Sequence, residues 1–357
     1  MNAMLHPARI LLPLFLLAGC RTVAPPGQNV LDVIAFGSCA QQDRPQPIWD
    51  AIQAQNPDVF LFIGDNIYAD TEDMSVMRSK YAQLGAQPEY QRFRERTPIL
   101  ATWDDHDYGK NDAGVEYPRK DSAQIEFLNF FRVPSSAAPR HRAGVYDAHV
   151  FGAGGRRVQI ILLDTRYFRS PLAHWPEGDR PTRGPYMPNP DPEATVLGAE
   201  QWAWLEDQLR QPAEIRIIAS SIQVIPEEHG YESWSNFPHD RERLFRLIRE
   251  TGAGGVLFLS GDRHVAEISR IPAEEANGVG YPLFDVTSSS LNKPGSSREP
   301  DPNRYRTSST QYSPANFGVI EIDWMQTDPL LHLQVRGEDG RVVFQEEIPL
   351  SALQPTG

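Results

Sequence analysis

The stretch that most directly indicates the fold is VFLFIGDNIY, residues 59–68. Its first five residues form an unbroken apolar run soon after Asn56-Pro57, which is typical of a strand buried in the centre of a sheet. Gly64 lets the backbone turn sharply where that strand ends, and Asp65 then presents a carboxylate. Active sites of layered α/β folds form at the carboxyl ends of strands. The stretch therefore predicts a functional site at this edge of a sheet.

Three other segments place reactive side chains after apolar runs in a similar way. They are Phe36-Gly37-Ser38-Cys39, Trp103-Asp104-Asp105-His106-Asp107 and Gly261-Asp262-Arg263-His264. The runs 31–36 and 255–259 beside the first and last segments are typical of buried strands, whereas residues 98–102 are a weaker strand candidate. We expect the side chains of all four segments to gather at one site.

The order of the predicted elements indicates the fold class. Helices alternate with strands over the first two-thirds of the chain, for example a helix over 47–55 and a helix over 122–132 with a serine cap and Ile125 on its apolar face. Antiparallel strands dominate the last third. An α/β (α+β) four-layer αββα sandwich, with two mixed β-sheets face to face, accommodates both parts. Residues 171–198 contain seven prolines and are predicted to be a loop, and a loop of that length is usually functional or mobile.

Composition and charge limit the class of function. The chain has 357 residues, of which 40% are hydrophobic and 23% charged, as in an ordinary soluble globular protein with a large core. Its formal net charge of −13 argues against a nucleic-acid partner, because phosphate backbones need basic surfaces. The same charge suits a site rich in metal-binding carboxylates, although an acidic, soluble surface also explains it.

The N-terminal residues are typical of a targeting segment. Arg9 supplies a weak positive region, residues 10–17 are an apolar run too short to span a bilayer, and Leu17-Ala18-Gly19-Cys20 resembles a bacterial lipobox. Residues 1–20 are therefore predicted to be a lipoprotein signal peptide, with lipidation at Cys20. Residues 21–30 are then a tether, and residues 31–357 form the folded domain. A plain secretory signal, cleaved near residue 18 or 24, is the alternative.

These features predict where the protein is located in the cell, and they leave the thiol of Cys39 without an assigned role. The lipid would hold the protein to the bacterial cell envelope, facing the periplasm or the outer membrane. Cys39 then has no disulfide partner in the chain, and binding to a metal ion is one use for a lone thiol in an oxidising compartment. A Cys20–Cys39 disulfide is the competing interpretation.

The segments at residues 64–68 and 261–264 have the chemistry of a metal site. Asp65 can offer one carboxylate oxygen to each of two cations. Tyr68 would be a rare ligand, because its phenol titrates near ~10 and needs a strongly Lewis-acidic ion such as ferric iron. A helix-capping Asp65 beside a packed Tyr68 is the alternative. Asp262 and His264 are expected on the same side of an extended backbone and can both reach one centre, although His264 can also be structural.

Residues 103–107 set three carboxylates around one imidazole. Such close like charges are unfavourable unless cations offset them, and a solvated charged loop is the alternative. One aspartate can bind a metal ion while His106 faces the substrate and Asp107 orients its other ring nitrogen. A histidine held in this way can protonate a leaving alkoxide.

Together these segments resemble the alkaline phosphatase D (PhoD-like) family of the calcineurin-like metallophosphoesterase superfamily. Gly37-Ser38-Cys39 replaces the opening Asp-x-His of the superfamily, as in PhoD-like members, and Gly64–Tyr68 matches the second block. In the third block Asp105 takes the place of an asparagine ligand and His106 that of the acid. Three further segments look like family blocks, namely Leu163–Arg166, Ser220–Gln223 and Gly261–His264.

The resemblance spans roughly residues 31–291. The extra N-terminal β-domain of longer relatives is not expected, because Cys20 lies so close to Leu31. That difference leaves open the substrate preference and any lid that the missing domain supplies.

The resemblance implies hydrolysis of phosphate esters by a metal-activated hydroxide, with His106 as general acid, and it implies iron (Fe³⁺) together with calcium (Ca²⁺). A thiolate and a phenolate suit ferric iron, and carboxylate and amide oxygens suit calcium, whereas zinc or manganese is less expected. The expected ligands are Cys39, Asp65, Tyr68 and His264 around iron, and Asp65, Asp105, Gln223 and Asp262 around calcium.

Four further residues are candidates for substrate binding. Arg166 is expected to clamp the phosphate with support from Asn111, and a salt bridge to a neighbouring aspartate is the alternative for Arg166. Trp234 and Asn236, in the loop over 226–238, are expected to line the pocket, with packing as the alternative for the aromatic ring.

The expected partner is a small phosphate ester or an envelope- or lipid-derived substrate, bound by a monomeric protein. The ligands do not decide between diesters and monoesters. A lactonase or sulfatase is a weaker enzyme alternative. From another class, the chain could be a lipid-anchored envelope binding or assembly protein with a structural metal site.

Overall fold

Two six-stranded mixed β-sheets form the centre of the structure, a computed structural model that describes residues 29–295 and 299–355. The strands are β1 (Val33–Gly37), β2 (Val59–Ile63), β3 (Ile99–Thr102), β4 (Asp147–Phe151), β5 (Val158–Leu162), β6 (Ala173–His174), β7 (Tyr186–Met187), β8 (Ile215–Ala219), β9 (Val256–Ser260), β10 (Ala266–Ile271), β11 (Leu283–Ser288), β12 (Asn316–Asp323), β13 (Leu330–Gly337) and β14 (Val342–Pro349). The helices are α1 (Ile48–Gln53), α2 (Met74–Ala86), α3 (Pro88–Arg94), α4 (Asp105–Tyr108), α5 (Lys120–Phe130), α6 (Gly198–Leu209) and α7 (Pro238–Thr251). The predicted signal peptide, Cys20 and residues 21–28 of the predicted tether lie outside the described residues.

Each sheet combines parallel and antiparallel strands. The first has the order β14-β13-β12-β1-β2-β3, with β1, β2 and β3 parallel. The second has the order β10-β11-β9-β8-β5-β4, with β11, β9, β8 and β5 parallel. The short strands β6 and β7 pair with each other as a ribbon inside the long loop. Two large mixed sheets were predicted, and this architecture is confirmed.

Helices cover both sheets, and the apolar strand residues explain where they pack. Every residue of β2 is buried, because alternate side chains face the opposite sheet and the helices. Trp49 of α1 packs on Phe60 and Phe62, with ring centroids 5.1 and 5.6 Å apart. On the second sheet, Phe245 of α7 packs against Phe258 of β9, with ring centroids 6.3 Å apart. The layers therefore follow the predicted order αββα.

The carboxyl ends of parallel strands from both sheets meet at one edge of the sandwich. The hydroxyl of Thr102, at the end of β3, donates to the backbone oxygen of Leu163, just after β5, at 2.6 Å. The backbone N–H of Gly261 after β9 donates to the oxygen of Ser221 after β8 at 2.9 Å. This edge therefore collects the short motifs that follow the strands. In the ranges 29–295 and 299–355, no helix has the length and apolar character needed to span a membrane.

Candidate metal centre

Four of the predicted metal ligands have a left-handed backbone conformation. The φ angles are 61° at Cys39, 49° at Asp65, 66° at Asp262 and 54° at His264. Residues with side chains rarely adopt positive φ, and each one costs about 1–3 kcal/mol unless the surrounding structure fixes it. Gly64 has a φ of 107°, and a Cβ at this position would lie 2.5 Å from the Cβ of Asp104. These turns at the strand ends set the direction of the ligand side chains.

Cys39, Asp65, Tyr68 and His264 meet in one mostly buried group, called here the first cluster. The Tyr68 hydroxyl donates to Asp65 Oδ2 at 2.9 Å and lies 3.0 Å from His264 Nε2. Cys39 Sγ lies 3.5 Å from Asp65 Oδ2, and the ligand atoms of Cys39, Asp65 and His264 lie within 4.8 Å of one another. The Cys39 thiol is buried and forms no disulfide within residues 29–295 and 299–355. The structure thus brings the four expected iron ligands together, and their role as ligands stays a prediction.

The electrostatics of the first cluster fit a bound cation. Burial raises the pKa of the Cys39 thiol to about 11. Burial also raises the pKa of Asp65 well above its usual value, and repulsion from Cys39 and Asp105 adds to this. The pKa of the Tyr68 phenol is raised by burial and by the Asp65 charge. Asp65 Oδ1 is buried and has no hydrogen-bond partner among the described residues. A cation would offset the repulsion and use that oxygen, so these residues fit a metal ion.

Asp104, Asp105 and Asp262 form a second cluster directly beside the first. Their carboxylate oxygens lie within 4.8 Å of one another, and Asp105 is equally close to Asp65 and His106. Burial raises the pKa of Asp104 to about 6 and the pKa of Asp262 well above its usual value. Burial also acts to raise the pKa of Asp105, but the charges of His106 and a buried arginine outweigh it and lower that pKa. Three carboxylates this close together offer the oxygen ligands that a hard cation prefers.

A cavity of about 420 Å³ opens beside both clusters. Its lining residues are His106, Asn111, Asp112, Pro185, Tyr186, Tyr231, Glu232, Asp262, Arg263, His264 and Gly295. Asn111 therefore lies at the cavity, as expected for a residue that supports substrate binding. Its amide donates to Asp112 Oδ2 at 2.7 Å. Pro185 and Tyr186 belong to the long loop over 171–198, which forms one wall of the cavity.

His106 lines this cavity, and its ring is held by Asp70. Nδ1 lies 2.8 Å from Oδ1 and 2.7 Å from Oδ2 of Asp70, so Nε2 is the nitrogen that can face a substrate. Burial acts to lower the pKa of His106, but the charges of Asp65, Asp105 and Asp70 outweigh it and raise that pKa to about 10. A protonated imidazole at a cavity wall can serve as a proton donor.

The prediction that Asp107 orients His106 is wrong. The Asp107 carboxylate accepts the backbone N–H of Asp104 at 2.7 Å and the side-chain amide of Asn66. Successive helical residues point in different directions, so the Asp107 carboxylate turns into the protein while His106 faces the cavity. Asp107 closes a capping box at the start of α4, the short helix that carries Asp105 and His106.

The prediction that Arg166 clamps a phosphate is also wrong, and the alternative of a salt bridge is what the structure shows. The guanidinium is fully buried and pairs with Asp104 and with Glu232, the latter at 2.6 Å. Arg169 Nε lies 2.9 Å from the other oxygen of Glu232. Because Arg166 is shielded from the cavity and already paired, it balances the charge of Asp104 and does not reach a substrate.

Trp234 and Asn236 do not line the cavity, contrary to prediction. The Trp234 ring is fully buried, packs near Trp202 with ring centroids 6.1 Å apart, and donates its indole N–H to Ser220 Oγ at 3.0 Å. Asn236 Oδ1 accepts the backbone N–H of Ser233 at 2.8 Å and closes a short 3₁₀ turn. Both side chains hold the loop on the core.

Gln223 is buried, and its amide nitrogen bonds to two side chains of the second sheet. Its amide Nε2 donates to Glu267 Oε1 and to Thr287 Oγ1, each at 2.9 Å. Within the described part of the chain, no hydrogen bond joins its side chain to a carboxylate of either cluster. An amide binds a cation through its oxygen, so the role of Gln223 at the calcium site stays a prediction. Asp104 is a further candidate there, since its buried Oδ2 has no hydrogen-bond partner among the described residues.

Sequence reasoning missed three residues at the site, namely Asp70, Asp104 and Lys293. Asp70 stands two residues after Tyr68. Considering acidic residues of the other strand-end segments as partners for His106 could have found it. Asp104 lies in the segment 103–107, which contains three aspartates, and the sequence does not show which of them bind a metal ion. Lys293 follows strand β11, and its ammonium lies 3.2 Å from the centroid of the Tyr68 ring. Applying the strand-end rule to β11 could have pointed to it.

Comparison with known protein families gives a match over most of the chain. The profile of the family described as PhoD-like phosphatase matches residues 34–328. Alkaline phosphatase D from Bacillus subtilis (strain 168) is 23% identical over 310 residues, which cover 76% of this chain and 51% of that protein. The chain thus spans about half the length of this relative.

Several solved structures have a fold similar to that of this chain. A structure of PhoD gives a TM-score of 0.65 at 17% identity, covering 90% of this chain and 73% of the other. A purple acid phosphatase from yellow lupin (Lupinus luteus) seeds gives 0.60 at 15% identity, covering 91% and 55%. A dimetal phosphatase from Danio rerio gives 0.52 at 13% identity, covering 90% and 100%. These identities show similarity of fold alone, and the predicted metallophosphoesterase-type fold is confirmed.

Proposed function

Because the chain belongs to the PhoD-like phosphatase family, we propose that it hydrolyses phosphate esters with the help of metal ions held by the two clusters. The observation that carries the proposal is the convergence of Cys39, Asp65 and His264 beside a second group of carboxylates, at the wall of a cavity that also contains His106. A structural metal site alone would not need that imidazole.

The donor atoms suggest which ions bind where. We propose Fe³⁺ at the first cluster, since a thiolate and a phenolate suit a ferric ion, and Ca²⁺ at the second cluster, since carboxylate oxygens suit calcium. Asp65 belongs to the first cluster and lies close to Asp105 of the second, so both ions would share it. Bound ions would neutralise charge on the phosphoryl oxygens and lower the pKa of water. Zinc or manganese is less suited to the first cluster, where His264 is the imidazole donor.

Residues of the chain itself would protonate the leaving group. We propose that His106 protonates the departing oxygen through Nε2 while Asp70 holds Nδ1 and keeps the ring turned to the cavity. Asn111 lies at the same wall and can donate to the ester. Asp107 and Arg166 support the site indirectly, through the cap of α4 and through the charge of Asp104.

The setting of the reaction is proposed from the sequence. The lipobox-like segment ending at Cys20 supports a lipid-anchored protein of the bacterial cell envelope that faces the periplasm or the outer membrane. An envelope- or lipid-derived phosphate ester would then be within reach. The net charge of −13 supports the exclusion of nucleic acid as a partner. We retain the expectation of a monomer with one folded domain over residues 31–357.

Turnover of paired substrates tests the proposal. Wild-type protein and a His106→Ala variant, with metal content measured in both, would be compared on an aryl phosphate monoester and a bis-aryl phosphate diester. We expect hydrolysis of at least one ester by the wild type and a loss of about 10²–10⁴-fold in the variant. Equal turnover in both proteins would contradict the role of His106. No turnover in either, at several metal loadings, would favour a binding or assembly protein instead.

A further inference from the structure

Residues 289–295, called here the crossing segment, pass directly over the first cluster. Ser289 Oγ lies 3.1 Å from Cys39 Sγ and accepts the backbone N–H of His264 at 2.8 Å. At the other end of the segment, the backbone N–H of Gly295 donates to the oxygen of His264 at 3.0 Å. The segment is therefore tied at both ends to residues of the cluster, and Gly295 at its far end lines the cavity.

Lys293 is the cation that this segment carries. Its ammonium lies over the face of Tyr68, 3.2 Å from the ring centroid, and the side chain is partly exposed. In the part of the chain that the structure describes, no carboxylate lies within ion-pair distance of this ammonium. The electrostatic attraction between a cation and an aromatic face holds the lysine in place without neutralising it. The charge thus remains available beside the first cluster.

We infer that Lys293 binds the phosphoryl oxygens of the substrate and of the inorganic phosphate product, an inference that rests on the proposed function. An anion that enters this site meets the carboxylates of Asp65, Asp70 and Asp105, so a positive group on the ring of Tyr68 would favour its approach. A lysine ammonium is a compact charge on a flexible stem and can move from the ring face to a phosphate oxygen. Such a contact is stronger for a dianion than for a monoanion.

Arg263, the other cation beside His264, is not equivalent. It lines the cavity, but its Nη2 lies 3.1 Å from Asp301 Oδ2, and its guanidinium stacks on Tyr231 at 3.9 Å from the ring centroid. Its charge is therefore already paired within the protein. Lys293 is the better candidate for a group that exchanges an internal contact for a ligand.

Lysine 120 offers a matched control. Its ammonium also lies over an aromatic ring, 4.5 Å from the centroid of Tyr167, and it donates to the backbone oxygens of Val115 and Tyr167 at 3.4 and 3.3 Å. Lys120→Met removes the same charge and the same kind of ring contact at a position whose contacts are with Val115 and Tyr167, outside both clusters.

Titration calorimetry with inorganic phosphate tests the inference. Wild type, Lys293→Met, Lys293→Arg and Lys120→Met would be compared after their metal contents are shown to be equal. We expect Lys293→Met to weaken phosphate binding about tenfold, the size of one charge-assisted hydrogen bond at a partly exposed site. Lys293→Arg should keep most of the affinity, and Lys120→Met should behave as wild type. The difference should shrink as salt is raised, because the contact is partly exposed.

Steady-state kinetics supply a second readout. Lys293→Met should raise KM for a dianionic monoester more than for a monoanionic diester, with little change in kcat. Unchanged phosphate affinity in Lys293→Met, or an equal loss in Lys120→Met or in Lys293→Arg, would overturn the inference. If the wild type hydrolyses neither ester, the proposed function fails, whereas the calorimetry still decides whether Lys293 binds phosphate.

Discussion

Replacing Asp70 by asparagine removes the charge that holds His106 while keeping the size of the side chain. Asp70 has a φ of 43°, a conformation that asparagine tolerates, so the fold should persist. Both carboxylate oxygens lie within 2.8 Å of His106 Nδ1. A hydrogen bond to a charged group contributes about 1.5–3 kcal/mol, and the lower end applies because the Asp70 side chain is 44% exposed. That value corresponds to a loss of about tenfold in kcat.

The loss should depend on the leaving group, because a general acid matters most when the departing oxygen is strongly basic. The assay compares kcat for an alkyl monophosphate with kcat for a nitrophenyl phosphate, whose leaving group needs little protonation. Asp70→Asn should lose about tenfold on the alkyl ester and much less on the aryl ester. Asp147→Asn is the matched control, since Asp147 lies 3.4 Å from His149 at a sheet edge outside the cavity. An equal loss on both esters would refute the assignment of Asp70 and His106.

Three further substitutions separate structural from catalytic roles. Arg166→Met leaves Asp104 buried without its ionic partner and Glu232 with Arg169 alone, so we expect about 3–5 kcal/mol lower free energy of unfolding in denaturant titrations; unchanged stability would contradict the buried ion pairs. Trp234→Ala should lower stability by about 3–5 kcal/mol through a core cavity, and KM measured below the melting temperature should not change if the ring is remote from the substrate. Gly64→Ala forces a Cβ to within 2.5 Å of Asp104 Cβ, so elemental analysis should show reduced metal content, and full metal content would argue against this turn as a support of the clusters.

Much of the fold could be predicted because apolar runs and strand ends are local signals. The predicted limits of the strand over 59–63 are the observed ones. The motifs after β1, β2, β3 and β9 met as expected, since parallel strands place their carboxyl ends at one edge. Residue types within those motifs then indicated metal chemistry before any contact was known.

Helix α5 shows where local signals fail. It was predicted over 122–132 with a serine cap and Ile125 buried, but it begins at Lys120 without a side-chain cap, and Ile125 is 56% exposed. Glu126 is buried instead, because its carboxylate pairs with Arg78 of α2. The buried face of α5 also includes Phe127, whose ring packs against Trp103 with centroids 5.5 Å apart, and no pattern within the helix records these partners.

The same limit explains the errors at the site. Whether an arginine near an active site binds substrate depends on how many carboxylates already surround it, and Arg166 has two. For His106, the orienting carboxylate came from another motif, at Asp70, because neighbours on one helical turn point elsewhere. Side-chain partners from distant segments are the information that a single sequence lacks.

Elemental analysis of the purified protein, with activity measured on the same sample, tests the central proposal most directly. The two clusters predict that wild-type protein holds more than one metal ion per chain, with iron among them and a visible absorption band that Tyr68→Phe changes. Asp65→Ala removes the carboxylate that both metal ions would share, so the variant should lose bound metal and activity together. A fully active protein that holds no metal, or an Asp65→Ala variant with unchanged metal content and turnover, would contradict the account.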